Sequence, residues 1–157
     1  MPATLSRNAR NADCYYPAMD RSGLVEYVRS QGDGVITSLG PDGRPQAAYL
    51  AITATDVGEL VLDARASSRK VANIQRDPRV AVVVGGSDGT TLQCEGLADI
   101  PQGQARERCA AAYVVAFPAF AASVSDPGVV VIRITPTWAR FGDYRGPVRV
   151  VDVALSD

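Results

Sequence analysis

The sequence contains no histidine. That absence excludes a Ser-His-Asp or Cys-His catalytic unit, a zinc site built on imidazole, and a histidine-ligated haem. A thiolate or tyrosinate could still ligate haem, but no pattern in the chain supports one. Cysteine is scarce and odd in number: Cys14, Cys94 and Cys109, with no C-x-x-C pair. Reduced thiols of a cytoplasmic protein fit this better than a disulfide frame. Charge of one sign is not in excess. A net charge of −1 leaves no broad basic footprint, so no nucleic-acid partner is expected. Long apolar runs are also missing. The longest, residues 109–122, is too short to span a bilayer and contains Pro118, so it reads as a buried helix at a subunit contact, and no membrane partner is expected. The first residues, M-P-A-T-L-S-R-N-A-R-N-A-D, carry no apolar stretch of the secretory kind. With so few proton-transfer groups, an enzyme built on this chain would rely on a cofactor for its chemistry.

Lysine is nearly absent too, and its one occurrence, Lys70, falls in the most informative stretch of the chain. Residues 64–79 read A-R-A-S-S-R-K-V-A-N-I-Q-R-D-P-R. A strand pattern over 59–64 ends just before it. Ser67 or Ser68 can cap a helix, Val71 and Ile74 are spaced to face a core, and Asp77-Pro78 stops the helix. The first turn therefore combines hydroxyls, Arg69, Lys70, unpaired backbone N–H groups and the positive end of a helix dipole. Those parts make an anion site suited to a terminal phosphate.

The 157 residues are expected to form a single domain, with 1–19 a flexible arm. Asp20 caps a helix over 21–30, with Leu24, Tyr27 and Val28 on one face. Strands follow over 35–39, 46–53 and 59–64. The first two are joined by Gly40-Pro41-Asp42-Gly43, a sequence with strong turn chemistry. The continuous apolar run over 80–84 predicts a strand buried on both faces. Residues 90–100 form a longer strand with a bulge at Gly96. A second helix covers 104–115 and is interrupted at Pro118. Strands over 129–135 and 138–144 are joined at Pro136, and 148–153 forms a last strand. Six or seven mostly antiparallel strands linked by tight turns predict a mainly β fold, a barrel with α-helices in the longer connections. The Gly-rich stretch 85–89 lacks the G-x-G-x-x-G spacing of a dinucleotide-binding fold.

The hairpin G-P-D-G-R-P-Q, the strand E-L-V-L-D-A, then S-R-K-V-A-N-I-Q-R-D-P-R-V-A-V-V-V and L-Q-C-E-G-L-A-D follow in an order that resembles the flavin-binding split-barrel superfamily of pyridoxamine 5′-phosphate oxidase. The resemblance is clear over 34–100 and returns at T-P-T-W-A-R-F-G-D-Y-R. It implies a split β-barrel and a homodimer with FMN in each of two clefts at the subunit interface. It implies that Ser68, Arg69 and Lys70 hold the phosphate, and that Tyr49, Leu50 and Ala51 with Asp63 and Ala64 run beside the isoalloxazine. Arg65 is a further candidate contact. Thr91, Leu92, Trp138 and Arg140 would close the site from the partner. The implied activity is an oxidoreductase passing hydride or electrons from a reduced nicotinamide to a small acceptor. The sequence also departs from the oxidase. Ala48 stands where the oxidase has a phosphate-binding arginine, Thr53 where it has a lysine, and the C-terminal R-x-H motif cannot exist without histidine. Vitamin B6 oxidation is therefore not expected. A deazaflavin-dependent reductase on the same fold, or a flavin-binding module without turnover, are the alternatives.

Overall fold

The computed structural model describes residues 19–156. All but the last residue of the expected N-terminal arm lie outside that range. Helix α1 (Arg21–Gln31) opens on Asp20, whose carboxylate accepts the Gly23 N–H at 2.8 Å, and closes on Gly32 at φ +74°. Leu24, Val25 and Val28 are its buried face, and Tyr27 packs edge-on against Phe141.

Eight strands follow among the described residues: β1 (Asp33–Leu39), β2 (Pro45–Ala51), β3 (Thr53–Ala54), β4 (Leu60–Arg65), β5 (Arg79–Gly85), β6 (Thr90–Asp99), β7 (Val129–Asp143) and β8 (Arg149–Asp152). Helix α2 (Arg69–Arg76) connects β4 to β5, and helix α3 (Gly103–Ala116) with a 3-10 segment (Pro118–Ser125) connects β6 to β7. The strands form one antiparallel sheet in the order β2-β1-β5-β6-β7-β4-β3, with β8 added on β7. The sheet curls into a half-barrel, and β2 and β4, far apart in that order, come back into contact. Leu24, Ile36, Ile52, Leu60, Leu62, Leu92, Ile132 and Ile134 fill the concave side. A smaller cluster, Val61, Cys109, Tyr113 and Val131, seats α3 on the convex face of β4 and β7. No helix among the described residues is long and apolar enough to cross a membrane.

The mainly β, antiparallel split-barrel expectation holds, with four corrections in detail. Strand β5 is not buried on both faces: Val80, Val82 and Val84 point inward, while Ala81 and Val83 are exposed. Val83 on its outer side is 44% exposed among the described residues. The strands expected on either side of Pro136 are one continuous strand, β7, because Pro136 falls at the register shift opposite Glu95 and Gly96. There the bulge removes the need for a ladder N–H that proline lacks. The pair Thr53–Ala54 separates from β2 as an extra short strand, since Ile52 turns its N–H to Gly32 O rather than to the sheet. Finally, the 109–122 segment is not buried all round. Cys109 and Tyr113 are covered, but Val115 is 81% and Phe120 52% exposed.

Candidate functional site

Strand β4 delivers the chain to the α2 start with its side chains alternating. Leu62 and Ala64 face the core, while Asp63 and Arg65 face outward. A turn closed by Ser68 N–H on Arg65 O (2.9 Å) then sets Ser68 at φ −73°, ψ 154°, the extended geometry of a helix cap. A capping serine ordinarily turns its hydroxyl onto the N–H groups of the first turn. Ser68 does not: its Oγ is buried and has no hydrogen-bond partner. A buried hydroxyl left unpaired costs about 1–3 kcal/mol. Around it stand Arg65, Arg69 and Lys70, for which the structure shows no ion pair among the described residues, and the N–H groups of the first turn, which helix geometry leaves without carbonyl partners. An orphaned hydroxyl, three unpaired cations and a helix N-terminus are the donor set that a phosphate monoester satisfies.

Two networks hold this turn in place. Behind it, the Asn73 amide is fully buried and donates to Ser38 Oγ and Gln46 Oε1, both at 3.0 Å, while its oxygen accepts from Arg76 (2.8 Å). Beneath it, Asp63 accepts the Ser123 hydroxyl at 2.6 Å. Burial, joined by the charge of Asp63, pushes the Tyr113 phenol well above its ordinary range. The Asp63 side chain is thus committed to the 3-10 segment after α3, while its backbone pairs opposite Val131 in the sheet. Neither network was read from the sequence. Asn73 stands in the quoted N-x-x-x-D-P-R-V stretch, but nothing in a linear pattern reveals that its amide meets Ser38 and Gln46, 35 and 27 residues earlier.

Tyr49, Leu50 and Ala51 lie on β2, paired with Val35, Gly34 and Asp33. Leu50 packs on the core. Tyr49 is 70% exposed, and its phenol is raised mainly by its hydrogen bond to Asp33, so it is not a core tyrosine. Strands β2 and β4 approach each other at one seam of the half-barrel, and α2 follows β4 after a short turn. Thr91, Leu92, Trp138 and Arg140 are elsewhere. Thr91 and Leu92 pair with Gly142 and Phe141, on the half of β7 remote from β4. Leu92 is wholly buried, Trp138 is half-buried beneath Arg140 (5.3 Å to the ring centroid), and Arg140 is tied to Asp152 at 2.8 Å. Within one chain the two groups do not meet.

Among the other titratable groups, burial pushes the Cys94 thiol up to about 12 and the Cys109 thiol up to about 11, consistent with structural roles. Asp143 pairs with Arg145, which holds its carboxyl down at about 2. Ala48 is partly buried against the core and Thr53 is 1% exposed, so neither position adds a cation. No grouping of acidic or thiol side chains among the described residues could hold a metal.

An antiparallel half-barrel with helices in its longer connections defines the split-barrel class. Within that class the chain belongs to the pyridoxamine 5′-phosphate oxidase family, whose model matches residues 23–142. No curated protein matches it. Among solved structures it is similar to a heme binding protein from Mycobacterium smegmatis (17% identity, TM-score 0.72, 87% of this chain and 60% of that one). It is also similar to a conserved hypothetical protein from Mycobacterium tuberculosis (25% identity, TM-score 0.68, 82% and 87%). A third is a pyridoxamine 5′-phosphate oxidase-related, FMN binding protein from Nostoc punctiforme (15% identity, TM-score 0.61, 81% and 84%). The chain thus spans under two thirds of the Mycobacterium smegmatis protein.

Proposed function

We propose that this protein is a cytoplasmic, homodimeric FMN-binding flavoprotein that passes hydride or electrons from a reduced nicotinamide to a small acceptor. The observation that carries the reading is the buried, partnerless Ser68 hydroxyl beside Arg65, Arg69 and Lys70. Ser68, Arg69 and Lys70 hold the phosphate. The backbone of Tyr49–Ala51 and of Asp63–Ala64 borders the ring, and Arg65 flanks it. The flavin supplies the redox chemistry; the chain binds, orients and excludes water. Thr91, Trp138 and Arg140 come from the partner subunit, with Leu92, wholly buried in its own core, behind them. Their remoteness from the seam in one chain supports that assignment. So does the outer face of β5 and β6, where Ala81, Val83 and Leu97 line an apolar surface with a cavity of about 420 Å³ bordered by Thr37, Arg79, Ala81 and Glu95.

The visible spectrum of the protein as purified, with heat release of any chromophore, tests this reading. A yellow protein releasing FMN at about one per chain supports it. A colourless protein that takes up no added FMN overturns it. Arg69→Ala together with Lys70→Ala is expected to abolish flavin retention with the fold intact, and unchanged affinity would defeat the site assignment.

One observation favours a second reading. Ala48, partly buried, stands where the oxidase has a phosphate-binding arginine, and Thr53, buried, where it has a lysine that serves cofactor and substrate, so the phosphate grip lacks the arginine's charge. A deazaflavin with a differently anchored tail suits such a site, and competitive titration with both cofactors separates the two. Haem is disfavoured by the lack of histidine and by the burial of Cys94 and Cys109.

A further inference from the structure

We propose that Asn73 is the positioning residue that sets the span between the phosphate grip and the strand bordering the flavin ring, and so gives the site its preference for a phosphorylated flavin. The inference rests on the cofactor reading above and deepens it.

Asn73 lies one helical turn beyond Arg69 on α2 and is 2% exposed. Its two amide hydrogens are divided between adjacent strands, one to Ser38 on β1 and one to Gln46 on β2. Ser38 and Gln46 are themselves cross-strand partners in the register. The Asn73 oxygen accepts from Arg76, whose same nitrogen also donates to Leu39 O at 2.8 Å. The Gln46 amide nitrogen lies over Gly40, where an added Cβ would come within 2.9 Å of it. Both amide hydrogens of Asn73 are therefore spent on fixing α2 to the β1–β2 hairpin, and its oxygen holds Arg76, which reaches the same hairpin through Leu39. Three to five residues past Gln46 on the same strand stand Tyr49, Leu50 and Ala51. One side chain thus links, over a single turn of helix and a few residues of strand, the end that grips phosphate and the strand that borders the ring. A ligand with a phosphate at one end and a planar ring at the other must match that fixed span.

The test measures the affinities of FMN and riboflavin for the wild-type protein, Asn73→Asp and Ser38→Ala, by flavin fluorescence quenching, with thermal melting alongside. Asn73→Asp keeps the shape and the pairing with Arg76 but removes both donors. Loosening the span is expected to weaken FMN while leaving riboflavin nearly unchanged, so the FMN-to-riboflavin preference falls at least tenfold in Asn73→Asp and by a smaller factor in Ser38→Ala. A purely structural asparagine would weaken both flavins alike or lower only the melting temperature. A preference unchanged within twofold overturns the inference and leaves the cofactor reading standing. Should Asn73→Asp fail to fold, Ser38→Ala decides by the same ratio. A wild-type protein that takes up neither FMN nor riboflavin overturns both.

Discussion

Ser68 and Cys94 show how much a single atom's surroundings decide. In the proposed site, Ser68 Oγ is stranded until an anion arrives. Ser68→Ala is expected to leave the melting temperature unchanged or slightly higher, since it removes a buried unpaired hydroxyl. It should also weaken flavin binding about tenfold or more, the scale of one hydrogen bond to a charged group at roughly 1.5–3 kcal/mol. Titration and melting of the same variant check both halves. Cys94 is the opposite case, a group closed off by burial. With its thiol pushed up to about 12, the thiolate fraction at pH 7 is on the order of 10⁻⁵. In a Cys14→Ser background, an aromatic disulfide reagent is expected to find no reactive thiol until the protein unfolds. Rapid labelling of the native protein would contradict this. The buried nature of Cys94 and Cys109 was legible from their neighbours in the sequence. The state of Ser68 was not, because an N-cap serine is normally satisfied by its own helix.

Among the elements, α3 is held to the sheet by a charge network as well as by its apolar face. Glu59 accepts from Arg108 through two bonds of 2.9 and 2.7 Å, from Thr55, and from Arg133, which also holds Asp99. The Arg108 bond, aided by Thr55 and Arg133 and opposed by burial, lowers the Glu59 carboxyl below its usual range. A group lowered in the folded state contributes stability above its unfolded value. That contribution is lost as pH falls through the folded value. The melting temperature should therefore drop below about pH 4.5, and Glu59→Gln should flatten that acid limb. At pH 7 the same variant is expected to cost roughly 1–3 kcal/mol, less than a fully buried pair because Arg108 remains partly exposed. Gly96 is the other vulnerable point. A Cβ there would lie 2.6 Å from Thr135 O and 2.8 Å from Ile134, so Gly96→Ala should lose about 1–3 kcal/mol in a denaturant titration. Most elements were readable from turn chemistry and periodicity, including that bulge and the α2 boundaries. Strand β5 was not, because an apolar run reads alike whether its second face meets its own chain or another. The joining of β7 through Pro136 also escaped, since it depends on the bulge in β6 opposite.

At the scale of the whole molecule, the described residues leave the outer face of β5 and β6 exposed. Val83 is 44% and Leu97 48% exposed on neighbouring strands. In the proposed dimer this face packs against a second copy, so Val83→Glu with Leu97→Glu should yield a folded monomer by sedimentation equilibrium, and that monomer should lose bound flavin. A dimer that persists with flavin bound would place the interface elsewhere. The phosphate half of the proposed site could be proposed from sequence because its residues are contiguous. The networks that brace it were not, because they join residues from β1, β2 and α2 that meet only after folding.

The sheet order also carries a consequence for how the chain is made. Strands β1, β2, β5 and β6 can pair as they emerge, but β4 has its long partner only in β7, some 65 residues later. During synthesis, at roughly 5–20 residues per second, the Ser68–Lys70 turn must wait several seconds for the strand that supports it. The ligand-gripping turn is therefore among the last parts of the nascent chain to take shape, and a ribosome-stalled fragment ending before residue 129 should hold a hairpin and two strands but no grip on phosphate.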